Sequence, residues 1–304
     1  MKKILAAALA VLAVISCSSP KKVERDFPRV QVPSVLESPE ERMEYSAAHF
    51  FDAFSRDTLT PYRCDSLFYA GVSSEQFEKE FASWMILLSE LPRQTAYSAI
   101  ERGYKRSGPA WNGFIRCCEK YMYDANSPFR DEDFYGVVAR LRLADSRTPA
   151  ALLKGLERDA RICALNPVGC PAADFRFADR FGRMHTLYEV QAEITLLVFS
   201  NPGCHACEEI REAFAGTLRE FAESGRVKVV NIYPDEELDS WREYLPNYPK
   251  EWLCGYDPDM VLRGETLYSL RAIPSIYLLD SEKRVILKDC PTDRMLAYIN
   301  SLPR

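Results

Sequence analysis

The chain has 304 residues, 47% hydrophobic and 27% charged, which is ordinary globular composition at a length that suits two domains, so disorder is not the default. Its formal net charge is −5, its isoelectric point lies near 5.5 and it carries no long basic block, so a nucleic-acid partner has no electrostatic support. With only three His, histidine-rich metal chemistry is limited, and neither a metal nor another cofactor is expected.

The chain opens on a targeting pattern. Lys2 and Lys3 precede an unbroken apolar run from Ile4 to Ile15, too short to span a bilayer stably and right for the core of a signal peptide. The run ends in Val14-Ile15-Ser16-Cys17, followed by polar Ser18-Ser19-Pro20. This resembles the lipobox of bacterial lipoproteins. The resemblance implies a signal peptide at 1–16, lipidation of Cys17 and a mature protein anchored by lipid to a membrane of the cell envelope, facing the periplasm. Residues 17–39 hold Pro20, Pro28, Pro33 and Pro39 and few large apolar groups, and read as a flexible tether.

Of the ten Cys, Cys17 is assigned to lipid, and the nine that remain cannot all pair within one chain. Adjacent Cys117 and Cys118 fall on one helix, where their side chains diverge. Cys163 and Cys170 flank an expected domain joint and could close a small loop. Cys64, Cys117, Cys118, Cys254 and Cys290 read mainly as small buried hydrophobes.

Residues 40–164 read as an all-helical domain. Tyr45, Ala48, Phe51 and Phe54 recur at helical spacing. Ser73 and Gln76 make a capping-box pattern ahead of Phe77, Phe81, Trp84, Met85 and Leu88. Pro109 opens a further stripe carrying Phe114, Ile115, Cys118 and Met122. Asp131 precedes Phe134, Val137, Val138 and Leu141. Thr148-Pro149 reads as an N-cap with a first-turn Pro before Leu152, Leu153 and Leu156.

After Asn166-Pro167 the pattern changes. Ile194 to Ser200 is a continuous apolar run, as expected of a strand buried on both faces. Residues 205–224 then carry Ile210, Phe214, Leu218 and Phe221 at helical spacing. Val227 to Tyr233, Ser275 to Leu279 and Arg284 to Lys288 are further strands, the last two joined by a hairpin pattern at 280–283. Residues 293–302 close the chain as an amphipathic helix. The expected class for 170–304 is therefore α/β, a central mixed sheet with flanking helices.

Cys204-His205-Ala206-Cys207 lies between the first of these strands and the helix that follows. A Cys at a helix N-terminus faces unpaired backbone N–H groups and the positive end of the helix dipole, which favour a thiolate, the attacking species in disulfide exchange. Cys207, one turn deeper, is placed to resolve a mixed disulfide. A zinc half-site would need a second ligand pair, which is missing. Haem attachment would need His directly after the second Cys, where Glu208 stands. Pro274, at the start of a strand, cannot donate a ladder hydrogen bond, so its place carries meaning.

Together, Cys204-His205-Ala206-Cys207 and Ile273-Pro274 resemble the active-site pair and cis-Pro loop of the thioredoxin superfamily. Ala173-Asp174-Phe175 with Asp179 and Gly182, and the stretch between the second strand and Pro274 holding Trp252 to Asp257, are similar to the opening hairpin and the insertion of its TlpA/ResA-like envelope branch. The resemblance covers about residues 170–304. It implies a thiol–disulfide oxidoreductase in which Cys204 and Cys207 react, Pro274 is cis and Ile273 meets the substrate. The helical half more loosely resembles a domain of unknown function found ahead of such modules in lipoproteins, which implies an architecture and no activity.

The sequence departs from the family pattern in three places. Gly203 replaces the aromatic that usually precedes the first Cys, the inner dipeptide lacks Pro, and Val198 stands where thioredoxins often bury an acid. Glu208, Glu209 or a residue of the insertion is a candidate replacement for that acid. His205 either contacts substrate and makes the couple more oxidising, or faces solvent. The expected partners are envelope proteins with thiols or disulfides and a redox donor or acceptor. A non-catalytic lipoprotein, with a partner-binding helical domain and a thioredoxin-like scaffold, is the alternative, and Cu(I) transfer by the two thiols is a third reading.

Overall fold

The computed structural model describes residues 22–56, 60–219, 221, 224–264 and 266–302. The targeting segment and Cys17 lie outside the described residues. The chain forms two packed halves with separate apolar cores.

The first half is helical: α1 (Pro39–Ala48), α2 (Ser74–Glu90), α3 (Arg93–Arg106), α4 (Trp111–Cys118), α5 (Glu132–Leu143) and α6 (Leu153–Cys163). Local chemistry sets where several of them begin. The Ser38, Ser73 and Asp131 side chains accept from the backbone N–H groups of Glu41, Gln76 and Phe134, satisfying donors that have no partner within the helix. α6 departs from expectation. Pro149 precedes a short 3-10 turn, Ala150–Leu152, and the α-helix starts only at Leu153. A two-residue hairpin, β1 (Phe68–Tyr69) with β2 (Val72–Ser73), also interrupts the expected all-helical run. The core is aromatic: Phe51, Phe54, Phe77, Phe81, Trp84 and Phe114 are all fully buried.

The expected tether is in part a structural element. Val23 N–H bonds to the Pro61 carbonyl and Arg25 N–H to that of Gly71. Phe27, 8% exposed, packs its ring against Phe50, Phe51, Phe54 and Phe77. One large apolar side chain in a Pro-rich stretch is enough to tie that stretch down, because burying it is worth about 1.5–3 kcal/mol.

The second half is a seven-stranded mixed sheet in the order β4-β3-β7-β6-β5-β8-β9. Its strands are β3 (Arg176–Asp179), β4 (Met184–Thr186), β5 (Ile194–Phe199), β6 (Val227–Tyr233), β7 (Leu253–Tyr256), β8 (Ser275–Leu279) and β9 (Val285–Lys288). β5, β6 and β7 run parallel, and β8 lies antiparallel to β5. Alternation divides β5 between two cores. Leu196 and Val198 face α7 (His205–Thr217) and the closing helix Thr292–Asn300, while Leu197 and Phe199 face Phe175, Tyr268 and Tyr277. α7 runs to Thr217, and Arg219 and Phe221 beyond it are again helical. The insertion supplies α8 (Leu238–Tyr244) and β7.

The joint between the halves is hydrogen-bonded to both. Lys288 Nζ donates to the carbonyls of Cys163 and Leu165, Val168 N–H to Asp133, and Val285 N–H to the Cys170 carbonyl. Cys163 is buried, Cys170 is exposed, and each is a free thiol here.

Candidate active site

β5 ends at Phe199, the chain turns through Asn201 to Gly203, and Cys204 enters α7 as its N-cap. Gly203 has φ +73°, which strains an L side chain. A Cβ there would meet nothing within 4 Å. Backbone conformation, not lack of room, therefore explains why Gly stands where the family usually has an aromatic.

The two cysteines occupy unlike places. Cys204 is partly exposed, and its Sγ accepts from the Cys207 backbone N–H at 3.3 Å. On its other side Cys204 Sγ lies 3.8 Å from the Ile273 carbonyl oxygen, an acceptor for the thiol proton. Cys207 is only 7% exposed, and burial, then its hydrogen bond with Cys204, pushes its thiol up to about 12. A thiol so raised keeps its proton at neutral pH. The sheet places Ile273 and Pro274, both half-buried and joined by a cis peptide, immediately ahead of β8 and beside the pair.

His205 points away from this arrangement. Its side chain is 86% exposed, with Glu209 Oε1 3.4 Å from its Nε2. Glu208 accepts from the Tyr244 hydroxyl at 3.3 Å. On the α7 face of the sheet, Val198 sits in register with Asn231 of β6. Asn231 Oδ1 accepts from Ser200 Oγ at 2.8 Å, and the Tyr248 hydroxyl lies 3.2 Å from the same Oγ. Neutral hydrogen-bonding groups thus share the face on which the family's acid would stand.

Beside the pair opens a groove of about 330 Å³, lined from the second half by Ala206, Pro274 and Cys290, and from the helical half by Asn126, Ser127 and Pro128. Sequence reasoning found Pro274 and the motif that holds Ala206 but missed Cys290 and the helical wall. Cys290, read as a buried hydrophobe, is half-buried at the groove, and burial raises its thiol to about 12. Nothing in the periodicity around 125–130 marks it as part of a site, because the segment meets the groove only through tertiary packing. The sequence signal that was available, Cys204 with Cys207 and Ile273 with Pro274, does converge on one place.

Residues 12–148 match a family described as a domain of unknown function (DUF5106). A crystal structure of a thioredoxin-like protein from Bacteroides caccae is 30% identical and covers 91% of this chain and 98% of its own, with a TM-score of 0.76. The C-terminal domain of an uncharacterized protein from Bacteroides fragilis is 42% identical over 45% of this chain and 99% of its own, with a TM-score of 0.44. The thioredoxin domain of a thiol-disulfide oxidoreductase from Bacteroides vulgatus is 18% identical over 44% of this chain and 95% of its own, with a TM-score of 0.40. No curated protein matches the chain.

Proposed function

Since this chain belongs to the thioredoxin-like proteins, we propose that it is a thiol–disulfide oxidoreductase that exchanges disulfides with proteins of the cell envelope. One observation carries this reading. Cys204 caps α7, its sulfur in contact with the Cys207 N–H and the Ile273 carbonyl, while Cys207 lies buried one turn inward.

The chemistry follows from that asymmetry. The Cys204 thiolate attacks one sulfur of a substrate disulfide, forming a mixed disulfide and releasing the other sulfur as a thiolate. Cys207 then passes its proton to the substrate thiolate released in the first step and attacks Cys204 Sγ. The 204–207 disulfide forms, the second substrate thiolate leaves, and the substrate has gained two electrons. The reverse sequence oxidises a dithiol. A redox donor or acceptor resets the pair. Pro274 and Ile273 flank the place where the substrate sulfur must arrive.

In this reading the protein is held to the membrane through lipid on Cys17 and faces the periplasm. Among the described residues no helix is long and apolar enough to cross a membrane. Cys17→Ala should release the protein from membranes or block its processing; retention after a salt wash would overturn the anchor.

The deciding measurement is the equilibrium of the 204/207 couple against a glutathione redox buffer. The pair should titrate as a single two-electron couple. If both thiols are accessible to reduction yet no exchange occurs, the scaffold reading replaces the enzyme.

A further inference from the structure

The groove beside Pro274 has one wall from each half of the protein. The second half supplies Ala206, Pro274 and Cys290, and the turn at 125–128 of the helical half stands opposite. Ala125, Asn126 and Pro128 are exposed, so their side chains are not spent in the helical core.

That opposite wall is fixed in place. The loop that carries Pro274 is tied to the helical half at both ends. Ser269 Oγ donates to Glu132 Oε1 at 3.1 Å, and Arg271 Nη2 donates to the Tyr123 carbonyl at 2.5 Å, just ahead of the turn. Just after the turn, Arg130 Nη2 donates to Asp289 Oδ2 at 2.9 Å. Asp289 in turn accepts from the Ile276 N–H at 2.8 Å and from Ser275 Oγ at 3.0 Å, directly after Pro274. Tyr123 and Arg130 bracket the turn, and Arg271 and Asp289 bracket the Pro274 loop. The width between them is thus set by polar contacts from both halves, of which Ser269 to Glu132 is buried and Arg271 to Tyr123 lies at the surface.

We propose that the helical half is part of the substrate site, its Ala125–Pro128 turn forming a wall that admits an extended, disulfide-bearing peptide segment and bars a folded protein surface. A groove of about 330 Å³ is at the small end of ligand pockets, which run roughly 300–1,000 Å³, and has room for a few residues of main chain. An extended segment lying in the groove would run along Ala206, next in the chain to Cys204, and Ile273, whose carbonyl lies 3.8 Å from the Cys204 sulfur. The proposal rests on the redox reading above and names the substrate form that this site takes.

The test uses the full chain, reduced, with three oxidants: two short unstructured peptides joined by a disulfide, a folded protein carrying one surface disulfide, and glutathione disulfide. The wild type should react faster with the joined peptides than with the folded protein. Ala125→Trp and Asn126→Trp, both at exposed positions, should raise KM for the joined peptides about fivefold or more with kcat nearly unchanged, the mark of lost binding rather than lost chemistry. Reaction with glutathione disulfide, which needs little of the groove, should stay at the wild-type rate. Unchanged KM in both variants, or an equal loss against glutathione disulfide, overturns the wall. A wild type that prefers the folded protein overturns it too. A wild type inert to all three oxidants defeats the redox reading itself, so the two failures are told apart.

Discussion

Arg130 of the helical half reaches across the junction and places Nη2 2.9 Å from Asp289 Oδ2, both side chains nearly out of water at 6% and 4% exposure. Glu132 Oε1 lies 2.9 Å from the same nitrogen, and Lys288 stands 3.5 Å from the other Glu132 oxygen. Lys288 also lies 3.7 Å from Asp133 Oδ1, and Arg271 lies 3.5 Å from Glu132 Oε1, so three cations face three carboxylates at the junction. Burial drives the Asp289 carboxyl upward, and Arg130 opposes that drive. Burial also acts against ionised Glu132, but Lys288 and Arg130 outweigh it and hold that carboxyl below its usual range.

Removing one partner of such a cluster leaves a buried charge without compensation. Arg130→Met should therefore cost about 3–5 kcal/mol at neutral pH, read from urea unfolding. The sign of the pH effect follows from Asp289. Without Arg130 its folded-state carboxyl moves further above the unfolded value. The folded state then holds the proton more tightly, and stability is lost as pH rises through that window. The penalty should be larger near pH 7 than near pH 4. A penalty equal at both, or below about 1 kcal/mol, contradicts the buried pair.

The unequal burial of the reactive thiols predicts unequal trapping. Cys207→Ser leaves Cys204 able to attack and nothing to resolve the product. It should accumulate reductant-sensitive adducts with envelope proteins on non-reducing gels. Cys204→Ser should accumulate few, because Cys207 is 7% exposed and its thiol is raised to about 12. Equal trapping by the two variants would reverse the role assignment.

Burial also raises the thiols of Cys117, Cys163 and Cys290 to about 12 and of Cys254 to about 11. Each has a folded value above the ~8.5 of a free thiol, so its contribution is complete below that pH and is lost as pH rises beyond it. Each such thiol can steepen the loss by up to about 1.4 kcal/mol per pH unit. The urea midpoint of the reduced protein should be flat from about pH 7 to 8 and fall steadily from about pH 9 to 11. A midpoint that holds across the alkaline range would mean these thiols are not protected from water.

Phe27 makes the segment before α1 part of the fold. Phe27→Ala should cost about 3 kcal/mol, the usual scale for emptying a buried aromatic site. Heat or urea unfolding of the variant measures it. Stability within about 0.5 kcal/mol of wild type would restore a loose tether at this point.

Much of this protein is written locally. The Ser73 and Asp131 caps, the helical stripe of Phe77, Phe81, Trp84 and Leu88, and the alternation of Leu196 to Phe199 between two cores follow from short-range rules of backbone satisfaction and side-chain period. The thiol pair was legible for the same reason, since a strand, a turn and a helix start lie together in the chain. Three features were not legible. Phe27 was hidden because one aromatic in a Pro-rich run has no period to announce it. Gly203 was recognised as a departure, but its φ of +73° is a property of the folded turn. The groove beside Pro274 needed residues 125–130 and 273–290 to meet, which depends on how two cores dock. That docking is fixed by Arg130, Glu132, Lys288 and Asp289, charged residues that sequence alone assigns to the surface. Only the tertiary structure, by bringing opposite charges together out of water, makes them interior.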